Sequence, residues 1–140
     1  METVLGFDFG LKRIGVAVGN SLIRQAQPLT IVSDATNDAK FAAIEELMKQ
    51  WQPARCIVGL PRHPDGAEHE MTVRCRRFAN QLHGRFGLPI DRIDERYSSL
   101  EAEERRRELR AQGRWRASKG VDQIAAQVIL ERYFEASHVA

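Results

Sequence analysis

The sequence predicts an α/β domain with a mixed sheet that opens on an antiparallel hairpin, and three observations carry that expectation. Two strand-like runs come first, "TVLGFDF" (3–9) and "RIGVAVG" (13–19), joined by the short link Gly10-Leu11-Lys12. A link of that length closes an antiparallel pair. The order of elements then changes to alternating helices and strands, the pattern of a sheet with crossover connections. Finally, "RCIVGL" (55–60) is a continuous apolar run after a helical pattern, as a strand covered by helices requires.

The remaining elements follow from periodicity. "PLTIV" (28–32) supplies a third short strand. In "TNDAKFAAIEELMKQW" the residues Phe41, Ile44, Leu47, Met48 and Trp51 fall on one helical face. A long helix is expected from about 67 to 85, with Met71, Cys75, Phe78, Leu82 and Phe86 at steps of four, three, four and four. "LPIDRID" (88–94) is the fifth strand. Ser98 and Glu101 in "SSLE" form a capping box, which predicts a helix from Ser98 to near Gly113. A last helix is expected from 119 to about 135, with Val121, Ile124, Ala125, Val128 and Ile129 facing inward. No repeat and no second domain are visible, so one domain is expected over residues 1–140.

Composition narrows the function classes. A chain of 140 residues with 43% hydrophobic and 29% charged residues can bury a core without disulfide or metal staples. Cys56 and Cys75 lie in apolar-periodic segments without zinc or redox spacing, and are expected to be buried thiols in a reducing compartment. No signal-peptide pattern opens the chain and no apolar run approaches ~18 residues, so a cytoplasmic protein without a membrane span is expected. The net charge of +2 conceals an asymmetry. From Arg105 to Lys119 there are seven basic residues and one acid, a local charge of +6, which leaves −4 for the rest of the chain. A mildly acidic body with one strongly basic segment suits a polyanionic partner met at one place.

Asp8 interrupts a strand that otherwise reads as buried, and a charge there is costly unless something compensates it. Asp94 and Glu95 end the fifth strand, and Asp122 lies in the first turn of the last helix. Strands one and five of such a sheet can lie near each other, with their carboxyl ends at the usual functional edge. Two carboxylates ~4 Å apart repel by about 4 kcal/mol at an effective dielectric of ~20, so a cluster of three either takes up protons or recruits cations. Mg²⁺ prefers oxygen ligands and is commonly held by carboxylates together with substrate phosphate oxygens. Adjacent strand residues point to opposite faces, so only one of Asp94 and Glu95 can aim directly at such a site.

Four motifs in order, "DFGLKRIGVAVG", "VGLPRHPDG", "DERYSS" and "KGVDQIAAQVIL", resemble the YqgF/RuvX family of bacterial pre-16S rRNA nucleases over essentially the whole chain. That family is similar to the Holliday-junction resolvase RuvC. The resemblance implies an RNase H-like fold, a five-stranded mixed sheet with helices on both faces. It also implies a nuclease dependent on Mg²⁺ or Mn²⁺ that acts at the 5′ end of pre-16S rRNA in ribosome biogenesis, with resolution of four-way DNA as an older proposal. Carried over by position, the catalytic, metal-holding acids are Asp8, Glu95 and Asp122. "RYSS" replaces the family's commoner leucine and paired threonines, but Tyr97 keeps an apolar body and Ser98 and Ser99 keep hydroxyls.

Around these acids, Gly10 lets a substrate or metal approach the backbone after Asp8. Lys12, Arg13 and Arg96 stand beside the acids as phosphate contacts or as plain surface charges. The loop from Gly59 to Gly66 opens toward the same edge, where a helix N-terminus suits a phosphate. In the basic segment Arg110, Arg114, Trp115, Arg116 and Lys119 are the candidate nucleic-acid contacts, since an aromatic among guanidinium groups can stack on unpaired bases while gripping phosphate. His63, His69 and His83 lack metal-ligand spacing and read as surface histidines. Two other classes compete. The D-x-G hairpin also occurs in sugar kinases, actin and Hsp70-type ATPases, but those need two such domains around a nucleotide. A non-catalytic RNA-binding module would gain nothing from acids beside an anionic ligand.

Overall fold

The computed structural model describes residues 2–33, 35–60, 70–94 and 121–139, apart from the side chains of 94, 121–123 and 136–139. The strands are β1 (Thr3–Phe9), β2 (Ile14–Asn20), β3 (Gln25–Val32), β4 (Arg55–Leu60) and β5 (Ile90–Asp94). The helices are α1 (Asn37–Trp51), α2 (Glu70–Phe86) and α3 (Val121–Val139). The sheet order is β3-β2-β1-β4-β5. β1 pairs antiparallel with β2, and β2 with β3, whereas β1–β4 and β4–β5 are parallel. This is the expected mixed sheet, with one refinement: β4 lies between β1 and β5, so those two strands are next-nearest neighbours.

The two-residue period of the strands sorts the core into two layers. Leu5, Phe7, Val16, Val18, Val58 and Leu60 face α1 and α2. Phe78 of α2 is the hub there, with its ring 5.7 Å from Phe7, 4.9 Å from Phe9 and 5.9 Å from Phe41. Val4, Ala17 and Ile57 face the other way and pack on Ala126, Ile129, Leu130 and Phe134 of α3. Helices therefore cover both faces. Glycine lets α3 lie close: a Cβ at Gly6 would stand 2.5 Å from Leu130 Cγ, and one at Gly19 would stand 2.9 Å from the Phe134 ring.

Local chemistry sets the ends of α1. Thr36 caps it by accepting from the Ala39 amide at 3.1 Å, and Gln52 closes it in the left-handed region at φ 46°.

Two expectations need correction. β3 begins at Gln25 rather than 28, because its first half is a polar, exposed edge that carries no apolar signal. A bulge between Val16 and Ala17 then brings Pro28 opposite Ala17. α3 runs to Val139, and its sheet-facing residues are Ala126, Ile129, Leu130 and Phe134, while Ile124, Ala125 and Val128 form a separate buried cluster. A helix apolar on several sides does not reveal by period alone which side meets the sheet. The helix expected from Ser98 to Gly113 lies outside the described residues.

Candidate active site at the carboxyl edge of the sheet

Asp8 is the next-to-last residue of β1, and its half-buried side chain has an explanation in the strand period. Val4 packs toward α3 and a Cβ at Gly6 would meet α3, so Asp8 belongs to that same face. Directly across the ladder stands Gly15, which offers no cross-strand side chain to crowd the carboxylate. The neighbouring positions Phe7 and Phe9 turn to the opposite face, where Phe7 meets the Phe78 ring edge-on and Phe9 packs on it at a tilt. The strand end is thus anchored from beneath while the carboxylate stands at the rim.

The path of α3 brings Asp122 to the same height. The Ala126 carbonyl lies 3.2 Å from the Cβ position of Gly6. Toward its C-terminus, α3 descends to the strand beginnings, where the Tyr133 hydroxyl accepts from Arg55 at 3.1 Å. Its N-terminus therefore rises toward the carboxyl edge. Asp122 is four residues above Ala126, about 6 Å of helix. Asp8 is two residues above Gly6, about 6.7 Å of strand. Backbone geometry thus sets the first turn of α3 level with the end of β1.

β5 reaches the same edge. Asp94 pairs in register with Leu60, one step beyond the Gly59–Ile93 pair. Along β5, Asp91 bonds Arg55 on the α3 side, and Ile93 packs into the α3 layer. Arg92 turns the other way, to Asn80 of α2.

Of the proposed acids, Asp8 is the one whose side chain is described. Glu95 lies outside the described residues, as do Arg96, Arg110, Arg114, Trp115, Arg116, Lys119, His63, His69 and the loop from Pro61 to Gly66. Among the described residues no group of three His, Cys, Asp or Glu gathers. Lys12 and Arg13 are exposed in the turn that follows Asp8. Gly10 has a simpler explanation than ligand approach: a Cβ there would come within 2.5 Å of the Arg13 carbonyl, so the turn itself demands glycine.

One residue at this edge escaped sequence reasoning. Lys40, in the first turns of α1, donates its Nζ to the Leu11 carbonyl at 2.9 Å and ties the turn to the helix. Twenty-nine residues separate the partners, and no local pattern signals the contact.

Away from the edge, the other candidates behave as ordinary structure. Cys56 and Cys75 are buried free thiols, and burial pushes the Cys56 thiol up to about 12. His83 is exposed, with Nδ1 3.0 Å from the Leu88 carbonyl. Among the described residues no helix is long and apolar enough to cross a membrane.

A family model for RuvX, described as Holliday junction resolvase, matches residues 2–136. The chain belongs to the RuvX family. Relatives from Burkholderia ambifaria and Burkholderia vietnamiensis, each named "Putative pre-16S rRNA nuclease", are 51% and 50% identical over 133 residues. Both alignments cover 95% of this chain and 89% of the relative. Among solved structures, RuvC of Thermus thermophilus in complex with a Holliday junction substrate superposes with a TM-score of 0.61 at 18% identity. That match covers 97% of this chain and 96% of RuvC. The fowlpox virus resolvase bound to Holliday junction DNA gives 0.58 at 8% identity, covering 96% and 98%. The RuvX chain therefore has the resolvase fold, the RNase H-like architecture expected from its motifs.

Proposed function

We propose that this RuvX chain is a metal-dependent nuclease that hydrolyses phosphodiester bonds of structured RNA, and that its substrate is the 5′ end of pre-16S rRNA. The observation that supports this reading is the place of Asp8 at the carboxyl end of β1, on the face of the sheet covered by α3, the helix whose first turn bears Asp122. Relatives of about 50% identity are named for pre-16S rRNA, which favours RNA over the four-way DNA of the far more distant resolvases. The reading places the protein in the cytoplasm and in ribosome assembly, with the whole activity on one domain.

The donor set fits a hard divalent cation, since carboxylate oxygens suit Mg²⁺ or Mn²⁺ better than softer metals. Asp8, Glu95 and Asp122 would hold the metal. Glu95 is preferred to Asp94 on the family motif. When bound, divalent ions would supply charge stabilisation for the phosphodiester displacement and help activate the attacking water. The chain's own residues do the positioning. Phe7 and Phe9, locked on Phe78, keep the end of β1 from shifting under the charge of Asp8. Lys12 and Arg13 present cations to the incoming backbone, and Arg96, Arg110, Arg114, Arg116 and Lys119 extend that role, with Trp115 stacking on an unpaired base.

Incubation with end-labelled precursor-like RNA, single-stranded RNA and four-way DNA in Mg²⁺ or Mn²⁺ tests the proposal. Cleavage of the structured RNA is expected, and Asp8→Asn should reduce it at least about a hundredfold while leaving binding nearly unchanged. Undiminished cleavage by the variant would remove the site from this edge, and preferential cutting of the junction would favour resolution of DNA.

A further inference from the structure

The outer face of α2 carries a second basic surface. From Glu70 to Arg92 the chain has five arginines and two acids. Both acids are committed. Glu70 pairs with Arg74 at 2.8 Å, and Asp91 pairs with Arg55 at 2.7 Å on the opposite face of the sheet. Arg92 is held at 2.6 Å by Asn80 Oδ1, a neutral partner that orients the guanidinium and leaves its charge intact. Arg85 lies 4.1 Å over the ring of Phe41, again without neutralisation. Arg77 is exposed, and among the described residues no acid is paired with it.

The arrangement is ordered along the helix. Arg74, Arg77 and Asn80 recur every three residues on the exposed side, so their side chains are neighbours, and Asn80 adds Arg92 to the row. Arg74 to Asn80 spans about 9 Å of helix, enough to reach neighbouring phosphates of one strand. The row begins at the level of the candidate site, because Cys75 Sγ lies 4.0 Å from the carbonyl of Phe9, the residue after Asp8. It then runs down the face opposite α3, with α2, ~10–12 Å in diameter, between it and the acids.

We propose that Arg77 and Arg92, the latter oriented by Asn80, form a second phosphate-backbone site, which holds the duplex stem of a structured RNA whose scissile strand lies at the carboxyl edge. This rests on the nuclease reading and adds to it: the substrate must carry a double-stranded arm long enough to pass over the edge and lie along α2. The ligand chemistry is a regular array of phosphates rather than a base sequence, since guanidinium contacts to the backbone position a nucleic acid without reading it.

The experiment uses the full chain carrying Asp8→Asn, with two probes: a trinucleotide RNA that can occupy only the edge, and an RNA hairpin whose stem is longer than α2. Adding Arg77→Gln and Arg92→Gln should weaken hairpin binding about tenfold and flatten its dependence on log salt by ~0.7–0.9 for each phosphate no longer neutralised. Trinucleotide binding should not change. Arg77→Lys with Arg92→Lys should restore most of the slope, which a merely structural role for Arg92 would not. Equal hairpin affinity and slope in the glutamine variant would overturn the inference, as would an equal loss for both probes. Cleavage by the chain without Asp8→Asn is scored separately. RNA cut normally by a chain with the two glutamines and an unchanged salt slope sinks this surface and leaves the nuclease reading standing, whereas no binding of either RNA sinks both.

Discussion

Lys40 Nζ lies 2.9 Å from the carbonyl oxygen of Leu11, and this bond joins the start of α1 to the turn that follows Asp8. Lys40→Met keeps the apolar stem and deletes the donor. The expected cost in stability is small, about 1 kcal/mol. The expected loss in cleavage rate is larger, about tenfold, because displacement of a positioning element by a fraction of an ångström is felt in the transition state. Denaturant midpoints and single-turnover rates measured together decide it. A variant destabilised but fully active would show that the turn needs no tether.

Gly6 makes a sharper packing prediction. A methyl group there would collide with Leu130 Cγ at 2.5 Å and crowd the Ala126 carbonyl at 3.2 Å. Gly6→Ala should cost about 1–3 kcal/mol through overpacking, and the shift of α3 should lower activity as well. Leu130→Ala alone leaves a cavity. The double variant should recover part of the loss, because the added methyl occupies vacated space. A strictly additive pair would mean that the clash is relieved elsewhere.

Such relations explain what the sequence could reveal and what it could not. The hairpin, α1, α2 and the buried β4 were legible because each carries its own period or turn, as with Phe41 and Ile44 on α1 or Cys75, Phe78 and Leu82 on α2. The start of β3 was not, since Gln25 and Gln27 gain order from pairing with β2 rather than from burial. The buried side of α3 was ambiguous because Ile124, Val128, Ile129 and Leu130 supply apolar surface in several directions. Asp8 was conspicuous as a charge among apolar neighbours, whereas Lys40 was silent, because a side-chain bond to a distant carbonyl leaves no spacing in the chain. The arginines of α2 form no motif in the chain, and what sets them apart is that Glu70 and Asp91 are paired with Arg74 and Arg55.

Cys56 predicts the alkaline limit of the fold. Burial raises its pKa from about 9 to about 12. In the unfolded chain the thiol loses its proton near its ordinary value, while the native state retains it. The unfolded state therefore binds fewer protons between those values, and stability falls as pH rises. The contribution is complete below pH ~9 and is lost by pH ~12, with a slope approaching about 1.4 kcal/mol per pH unit. Tyr133, also raised by desolvation, acts in the same direction. Urea midpoints at about pH 8 and about pH 10 should fall less steeply for Cys56→Ala than for the parent. Parallel slopes would show that another group governs alkaline unfolding.

At the opposite edge from Asp8, Arg55 binds Asp91 at 2.7 Å and Tyr133 at 3.1 Å and so links β4, β5 and α3. The hydrogen bond to Asp91 is the main reason the guanidinium holds its proton more tightly than usual. The pair remains about a third or more exposed, so solvent screens it and its worth is modest. Arg55→Met should cost about 1 kcal/mol, with a coupling to Asp91→Asn of about half that in a double-mutant cycle. Activity per folded molecule should not change. A selective loss of rate would mean that this network positions α3, and with it Asp122, for the reaction.

The proposed metal binding at the carboxyl edge predicts a signature in stability that needs no substrate. Acids gathered as proposed would repel one another in the native state, a repulsion relieved in the unfolded chain, so the metal-free fold would carry a penalty. A divalent cation that binds only the folded form adds RT ln(1 + [L]/Kd), about 1.4 kcal/mol at ten times Kd, or a few degrees of melting temperature for a chain of this length. Thermal melts in Mg²⁺ and in K⁺ at matched ionic strength should differ by that amount for the parent. Asp8→Asn should respond only weakly to Mg²⁺. If parent and variant gain equally from Mg²⁺, the cation binds elsewhere and Asp8 stands half-buried at the rim for some other reason.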